Sequence, residues 1–158
     1  MNASDVMRTS FVSIKPTASL LEAAQLLLET NQRALPVMEN DAELLGILSE
    51  GDFLHRNELG VNPPAESWLG SLLGIEENSA ARKRMNALRV EEVMTRDPLC
   101  VDEEAPLDEV IAQMDMRRIS QLPVVCGGVV GGMISRLELL KAIEHRLRES
   151  EASAPAKS

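Results

Sequence analysis

A serine and an aspartate three residues apart, Ser49 and Asp52, stand where a short apolar segment leads into a predicted helix. A carboxylate offers acceptor oxygens and no donor, so Asp52 suits two neighbouring hydroxyls such as those of ribose. A serine hydroxyl beside the first free amides of a helix suits a phosphate. Gly46, just before them, is expected to leave the backbone open to a close-lying ligand. The stretch therefore predicts a nucleoside-phosphate site.

The same spacing has a purely structural interpretation. Ser-x-x-Asp is a helix-capping pattern, in which the serine oxygen accepts an amide hydrogen bond and the acidic side chain favours the helix N-terminus. For a single match, capping is the simpler explanation. The two roles are compatible, and the choice between them depends on whether the pattern recurs.

The pattern does recur, because three landmarks of the first half return in the same order in the second half. They are a Val-Met pair at 6–7 and 93–94, a Leu-Pro-Val triplet at 35–37 and 122–124, and the turn from glycine to acid at 46–52 and 132–138. The first two are offset by 87 residues and the third by 86. The recurrence favours a ligand role beyond capping, with Ser135 and Glu138 as the second pair.

Each copy predicts the order β-α-β-β-α. In the first copy we expect strands at 11–14, 35–38 and 44–48, a helix from a Ser19–Glu22 capping box to about Thr30, and a last helix after Ser49. A unit of about 50 residues buries too little surface to be stable alone. The two copies are therefore expected to pack together around shared sheets as one pseudo-symmetric domain.

Composition limits the classes of partner. The net charge of −9 and an aromatic content of 2% argue against nucleic acid, because both the phosphate backbone and the stacked bases would lack partners. No stretch approaches the roughly 20 apolar residues of a membrane helix, and the N-terminus lacks an export signal. Cys100 and Cys126 have no metal-type spacing and are expected to be buried, reduced thiols. These features predict a cytoplasmic protein without a membrane partner.

The ordered motifs resemble a tandem pair of cystathionine-β-synthase (CBS) domains, also called a Bateman module, as found in bacterial stand-alone CBS-pair proteins. The resemblance implies an α/β fold of two β-α-β-β-α repeats with a helical insertion between them. The expected segments are repeat 1 at 1–58, the insertion at 59–89, repeat 2 at 90–148 and a disordered tail at 149–158.

The resemblance also implies a function. Such pairs commonly bind AMP, ADP, ATP or S-adenosylmethionine in clefts between the repeats, require no other cofactor, and regulate attached or partner proteins, often as homodimers. The residues implied at the first cleft are Ser49 and Asp52, with base contacts from Leu99, Ile119 and Ser120. The residues implied at the second cleft are Ser135 and Glu138, facing Val12, Gln32 and Arg33. Glu138 departs from the usual aspartate, so the second cleft is the weaker prediction, and either cleft could be filled by its own side chains.

Three questions stay open at this stage. His55 and His145 occur singly without a catalytic or metal motif, so we expect no enzyme, and the alternative to a sensor is a dimerisation scaffold that binds no small molecule. Trp68 in the insertion either anchors a dimer or partner contact or covers the core. The candidates for offsetting phosphate charge, or else solvated surface arginines, are Arg33, Arg56, Arg117, Arg118 and Arg136.

Overall fold

A computed structural model describes residues 1–40, 43–54 and 88–155 of the chain. The helices are α1 (Ala3–Val6), α2 (Leu20–Thr30), α3 (Glu50–Leu54), α4 (Val90–Val93), α5 (Leu107–Arg117) and α6 (Arg136–Ser153). The strands are β1 (Ala34–Met38), β2 (Leu44–Ser49), β3 (Thr95–Arg96), β4 (Val101–Asp102), β5 (Gln121–Cys126) and β6 (Val129–Ser135). The predicted α/β fold class is confirmed. The predicted insertion helix with Trp68, and also His55 and Arg56, lie outside the described residues.

The chain divides into two compact units, one formed by Val12–Pro98 and the other by Met1–Phe11 together with Leu99–Ser158. In the first unit, β1 pairs antiparallel with β2, and β2 pairs antiparallel with β3. Helix α2 supplies the apolar side chains that cover this sheet. The core consists of Ile14, Leu20, Ala23, Leu35, Val37, Leu48, Val90, Val93 and Met94.

The second unit is also built on an antiparallel hairpin, but its third strand lies beside the first strand of the hairpin instead of the second. Strand β4 pairs parallel with β5, and β5 pairs antiparallel with β6 through a tight turn in which Gly127 and Gly128 adopt positive φ angles. Glycine suits this turn because it lacks the Cβ that would disfavour such angles. The core consists of Ala3, Val110, Met114, Leu122, Val124 and Ile134.

Each sequence copy opens with a short segment that contains its Val-Met pair, at 6–7 or at 93–94, and that is called the lead below. Each lead packs in the unit that holds the hairpin of the other copy. The first lead is anchored on the 99–158 segment, where the Ala3 amide donates to the Ala105 carbonyl at 2.9 Å and Arg8 forms a two-way bridge with Met133. The second lead, by contrast, is bound in the 12–98 unit, where the amide of Val90 donates to the Ala18 carbonyl at 2.9 Å. Each compact unit therefore combines the lead of one copy with the sheet of the other.

The predicted helix after Ser19 is confirmed. The Ser19 hydroxyl accepts a hydrogen bond from the Glu22 amide at 3.1 Å, and α2 ends at Thr30. Asn31 follows in the left-handed conformation, which asparagine tolerates better than most residues. Both ends of this helix were therefore predicted correctly from the sequence.

The strand predicted at 11–14 is reduced to a single parallel bridge between Ile14 and Val37. Ile14 donates to the Pro36 carbonyl at 3.0 Å and accepts from the Met38 amide at 2.9 Å. Val12 makes no ladder bond, because its amide and carbonyl both bond to the side chain of Gln32. A side chain that is 20 residues away in the sequence thus takes the place of a neighbouring strand at Val12.

Two smaller expectations are corrected. The tail predicted as disordered from 149 is helical to Ser153, because α6 continues through side-chain contacts such as His145 with Glu149 and ends before Pro155. Cys126 is partly buried, but Cys100 is exposed. Side chains alternate along an extended segment, so the packing of Val101 against the core turns Cys100 outward.

Candidate functional site

The turn from β2 into α3 brings Ser49 and Asp52 into direct contact. The Ser49 amide donates to Asp52 Oδ2 at 2.7 Å, and the Ser49 hydroxyl lies 3.2 Å from the same oxygen. Asp52 Oδ1 takes no part in these two bonds. The Asp52 carboxylate thus reaches back to the amide at the end of the strand, as the acidic residue of a capping box does.

Opposing effects act on the pKa of Asp52. Burial raises this pKa above the ordinary value of 3.8, and the hydrogen bonds from Ser49 and from the Thr95 hydroxyl oppose the rise. The net direction is upward because a partly buried carboxylate loses hydration of its charged form. Asp52 is therefore a carboxylate whose charge is costly to keep and is supported by neighbouring donors.

Thr95 is a residue of this site that the sequence analysis missed. It opens β3, the strand formed by the second lead, where it pairs with Ile47 across the sheet. Its position just after the recurring Val-Met pair was the available signal. This signal was misleading, because the sequence assigns the second lead to the second copy, whereas in the structure the lead joins the sheet of the first copy.

The Ser135–Glu138 turn repeats this arrangement at the junction of β6 and α6. The Ser135 amide donates to Glu138 Oε2 at 2.7 Å, the Ser135 hydroxyl contacts the same oxygen, and the Leu137 amide donates to that hydroxyl at 3.2 Å. Glu138 is only 6% exposed, whereas Asp52 is partly exposed. The extra methylene of glutamate is used to reach back to the strand end, which leaves this carboxylate the more enclosed of the two.

The glycine that precedes each turn contacts a methionine of the exchanged lead. A Cβ on Gly46 would lie 2.7 Å from the Met94 sulfur and 2.7 Å from the Thr95 carbonyl oxygen. At the equivalent Gly132, a Cβ would lie 2.6 Å from the Met7 sulfur. The expectation that Gly46 leaves space for a ligand is wrong, because the lead fills that space.

Gln32 is bound to the backbone through its whole amide. Its Oε1 accepts from the Val12 amide at 2.6 Å, and its Nε2 donates to the carbonyls of Val12 and Ala34, both at 3.1 Å. The side chain is nearly buried, at 9% exposed. A contact of Gln32 with a ligand stays a prediction, and it would have to compete with these bonds.

Arg33 lies beside the Ser49 turn in the same unit. Its carbonyl accepts from the Glu50 amide at 2.9 Å, and the next residue, Ala34, pairs with Ser49 across the sheet. The Arg33 side chain is exposed. The structure thus places the backbone of Arg33 beside the Ser49–Asp52 turn, at one end of one sheet.

The remaining predicted residues belong to the other unit. Leu99 and Ile119 are partly buried and pack against its core, and Ser120 is partly exposed. Ser120 precedes Gln121, which pairs with Ser135, so it occupies the position that Arg33 has in the first unit. Base contacts from these residues to a ligand at Asp52 stay a prediction, as does the predicted facing of Val12, Gln32 and Arg33 toward Ser135.

Residues 1–40, 43–54 and 88–155 were also compared with the requirements of a metal site and of a membrane-spanning helix. That part of the chain contains no group of three His, Cys, Asp or Glu side chains placed to hold a metal ion. None of the helices described has the combined length and apolar character that crossing a bilayer requires. His145 is exposed and lies 3.6 Å from Glu149 one helical turn later.

Comparison with known proteins gives a family match, one relative and two similar solved structures. A family model described as CBS domain matches residues 3–58 and 90–145. Over 150 residues the chain is 27% identical to the chloroplastic CBS domain-containing protein CBSX1 of Arabidopsis thaliana, an alignment that covers 89% of this chain and 62% of CBSX1. This chain thus corresponds to about three fifths of that relative.

Among solved structures, AcuB from Vibrio cholerae is 25% identical, with a TM-score of 0.73 and 98% of each chain covered. The structure of CBSX2 in complex with AMP is 24% identical, with a TM-score of 0.71, and the match covers 92% of this chain and 98% of CBSX2. At that identity, the likeness to CBSX2 establishes the common fold.

Proposed function

Because this chain belongs to the CBS domain family, we propose that it is a non-catalytic regulatory module that binds an adenosine-type ligand. The candidate ligands are AMP, ADP, ATP and S-adenosylmethionine, and the main site is the Ser49–Asp52 turn. The ligand regulates a partner protein or the oligomeric state of a cytoplasmic homodimer. The observation that carries the proposal is the grouping of Ser49, Asp52, Thr95 and Arg33 in a fold whose CBSX2 member was solved with AMP.

Each group has a distinct part in this proposal. Asp52 accepts hydrogen bonds from the ribose hydroxyls while its Oδ2 holds the Ser49 amide. Arg33 pairs with phosphate, which a protein of net charge −9 must attract through a local cation. Leu99, Ile119 and Ser120 of the second unit are proposed to contact the base.

Regulation follows from the different parts of the chain that the ligand would touch. A ligand shifts a conformational equilibrium only by the difference between its affinities for the two states. If it contacts both repeats, the orientation that allows both contacts is stabilised. The populations of the conformational states then change, and with them the surface that a second copy or a regulated protein can bind.

The test is a set of thermal melts with each of the four ligands. At a ligand concentration of about 100 times Kd, the folded state should gain about 2.7 kcal/mol. Asp52→Asn should lose most of this gain because an amide nitrogen replaces one acceptor oxygen. Asp115→Asn, on an exposed face of α5, is the matched control and should keep the gain. If no ligand raises the melting temperature, or if Asp52→Asn responds like wild type, the proposal is wrong.

A second candidate is a dimerisation scaffold that binds no small molecule. It is favoured by the capping bonds that already occupy Ser49 and Ser135 and by the full satisfaction of the Gln32 amide. This candidate predicts melts that ignore all four ligands while the oligomer still forms with increasing concentration. The same ligand series therefore separates the two functions.

A further inference from the structure

The backbone of Val12 lies where the parallel strand pairing of the first unit would be expected to continue. Ile14, two residues later, donates to the Pro36 carbonyl and accepts from the Met38 amide. One step back along this ladder, the Val12 carbonyl would need an amide donor from Pro36, and proline has none. The pairing therefore ends at Ile14, and the amide and carbonyl of Val12 need other partners.

The carboxamide of Gln32 supplies both missing partners of Val12. Its Oε1 accepts from the Val12 amide at 2.6 Å, and its Nε2 donates to the Val12 carbonyl at 3.1 Å. The same Nε2 donates to the carbonyl of Ala34, also at 3.1 Å. One flat group that carries a donor beside an acceptor thus covers the Val12 edge, meaning the amide and the carbonyl of that residue.

The second unit has the same interruption in its strand pairing. Parallel pairing begins at Val101, and Pro123 has no amide to donate to the carbonyl of Leu99, two residues before Val101. Leu99 is the counterpart of Val12, 87 residues later in the sequence. Within the part of the chain that the structure describes, neither its amide nor its carbonyl takes part in a hydrogen bond. Among those residues, the corresponding Leu99 edge is therefore open.

The difference between the two edges comes from one side chain. The residue equivalent to Gln32 is Ile119, whose side chain has no hydrogen-bonding atom. Both follow a left-handed residue just after a helix, Asn31 with a φ of +56° and Arg118 with a φ of +52°. The local backbone is therefore alike at positions 32 and 119, and only the carboxamide is missing from the second unit.

A base that carries an amino group beside a ring nitrogen matches an open edge of this kind. The amide of Leu99 needs an acceptor and its carbonyl needs a donor, and one flat group can provide both. Adenine offers this pair through its amino group and a neighbouring ring nitrogen, as the carboxamide of Gln32 does in the first unit. Leu99 and Ile119 are partly buried and pack against the apolar core, so their surroundings also suit the face of a base.

We propose that the Gln32 carboxamide substitutes for a nucleobase at the Val12 edge, so that this chain accepts an adenine base at the Leu99 edge only. The residues at positions 32 and 119 then decide which edge is available. The part that concerns the ligand rests on the proposed function, and it adds the number of bases per chain and the residue that excludes a second one. The covering of the Val12 edge is independent of any ligand.

Amide hydrogen exchange in the full chain without ligand tests the two edges themselves. The Val12 amide should exchange about tenfold or more slowly than the Leu99 amide, since only the first has an acceptor in the protein. Gln32→Ile should remove the protection of Val12, and Ile119→Gln should slow the exchange of Leu99 by about tenfold or more. Gln25→Ile, at an exposed position of α2, is the matched control and should leave Val12 protected. A Val12 amide that stays protected in Gln32→Ile would overturn the proposal.

Titration calorimetry with AMP, and in parallel with ADP, ATP and S-adenosylmethionine, tests the consequence for the ligand. Wild type should bind one ligand per chain, and Gln32→Ile should bind two because its first unit then resembles the second. Ile119→Gln should bind about 10- to 100-fold more weakly than wild type, since its carboxamide covers the Leu99 edge. Ile119→Leu adds no hydrogen-bonding atom and, as the matched control, should bind like wild type.

Three titration results would overturn the proposal. They are a wild type that binds two ligands, an Ile119→Gln chain that binds as wild type does, and a folded Gln32→Ile chain that still binds one. Because Gln32→Ile leaves backbone groups of the first unit unpaired, Ile119→Gln keeps the test decisive if that variant does not fold. A wild type that binds none of the four ligands contradicts the proposed function and the ligand part of this inference, whereas the exchange rates decide the covering of the Val12 edge separately.

Discussion

Replacing Gly46 by alanine should disrupt the junction between β2 and the exchanged lead. The new Cβ would lie 2.7 Å from the Met94 sulfur, which can move with its side chain, and 2.7 Å from the Thr95 carbonyl oxygen, which belongs to the backbone. Gly46 pairs with Arg96 and Ile47 pairs with Thr95, so relief requires β3 to shift away from β2. Forcing an extra carbon into a packed position costs typically about 1–3 kcal/mol. We expect Gly46→Ala to lie near the upper end because one of the two clashes is with backbone.

A double-mutant cycle with Met94→Ala measures how much of this cost comes from the methionine. Met94 is 8% exposed, so its truncation alone should cost about 2–5 kcal/mol. In urea unfolding, the double variant should be more stable than the sum of the two single effects predicts, by about 0.5–3 kcal/mol, since the sulfur clash is absent. A Gly46→Ala protein as stable as wild type would refute the packing explanation. An additive cycle would assign the clash to the Thr95 carbonyl alone.

Three further predictions concern the same unit. As the pH rises from the ordinary carboxyl pKa of 3.8 through the raised pKa of Asp52, wild type should lose unfolding free energy relative to Asp52→Asn, because ionisation is disfavoured in the folded state; parallel pH profiles would contradict this. Thr95→Val should raise the Asp52 pKa further in an NMR titration, since it removes a donor to the carboxylate, and an unchanged pKa would remove Thr95 from the site. Gln32→Ala should cost about 1–3 kcal/mol in urea unfolding by leaving backbone groups of Val12 and Ala34 without partners, and a neutral effect would show that water replaces the amide.

Local signals in the sequence were sufficient for most of the elements. The Ser19–Glu22 cap and the Ser-x-x-acid turns are short-range patterns, and each specifies a helix start without reference to distant residues. Duplication then made the assignment firmer, because an ambiguous segment in one copy could be interpreted from the other. The Ser49–Asp52 contact was predicted in this way, as a cap that could also serve a ligand.

Contacts between residues that are far apart in the sequence were harder to predict. The sequence contains nothing local to say that the second Val-Met pair joins the sheet of the first copy, so the reason for Gly46 and the part played by Thr95 were both missed. Gln32 was predicted at a ligand site because the family resemblance implies it, yet its amide binds the backbone of Val12, which is 20 residues earlier. The hydrogen-bond partner of a polar side chain depends on which backbone groups near it lack partners, and those groups are known only once the chain is folded.

The exchange of leads gives the proposed sensor a direct covalent route between its parts. Thr95 contacts the Asp52 carboxylate, and only three residues later the chain leaves the 12–98 unit to begin the second segment of the other unit at Leu99. Asp97, between them, has a φ of +47°, a conformation that is uncommon outside glycine and costs backbone energy unless its surroundings fix it. A ligand that changes the hydrogen bonds of Asp52 therefore acts on a residue attached to this strained crossing.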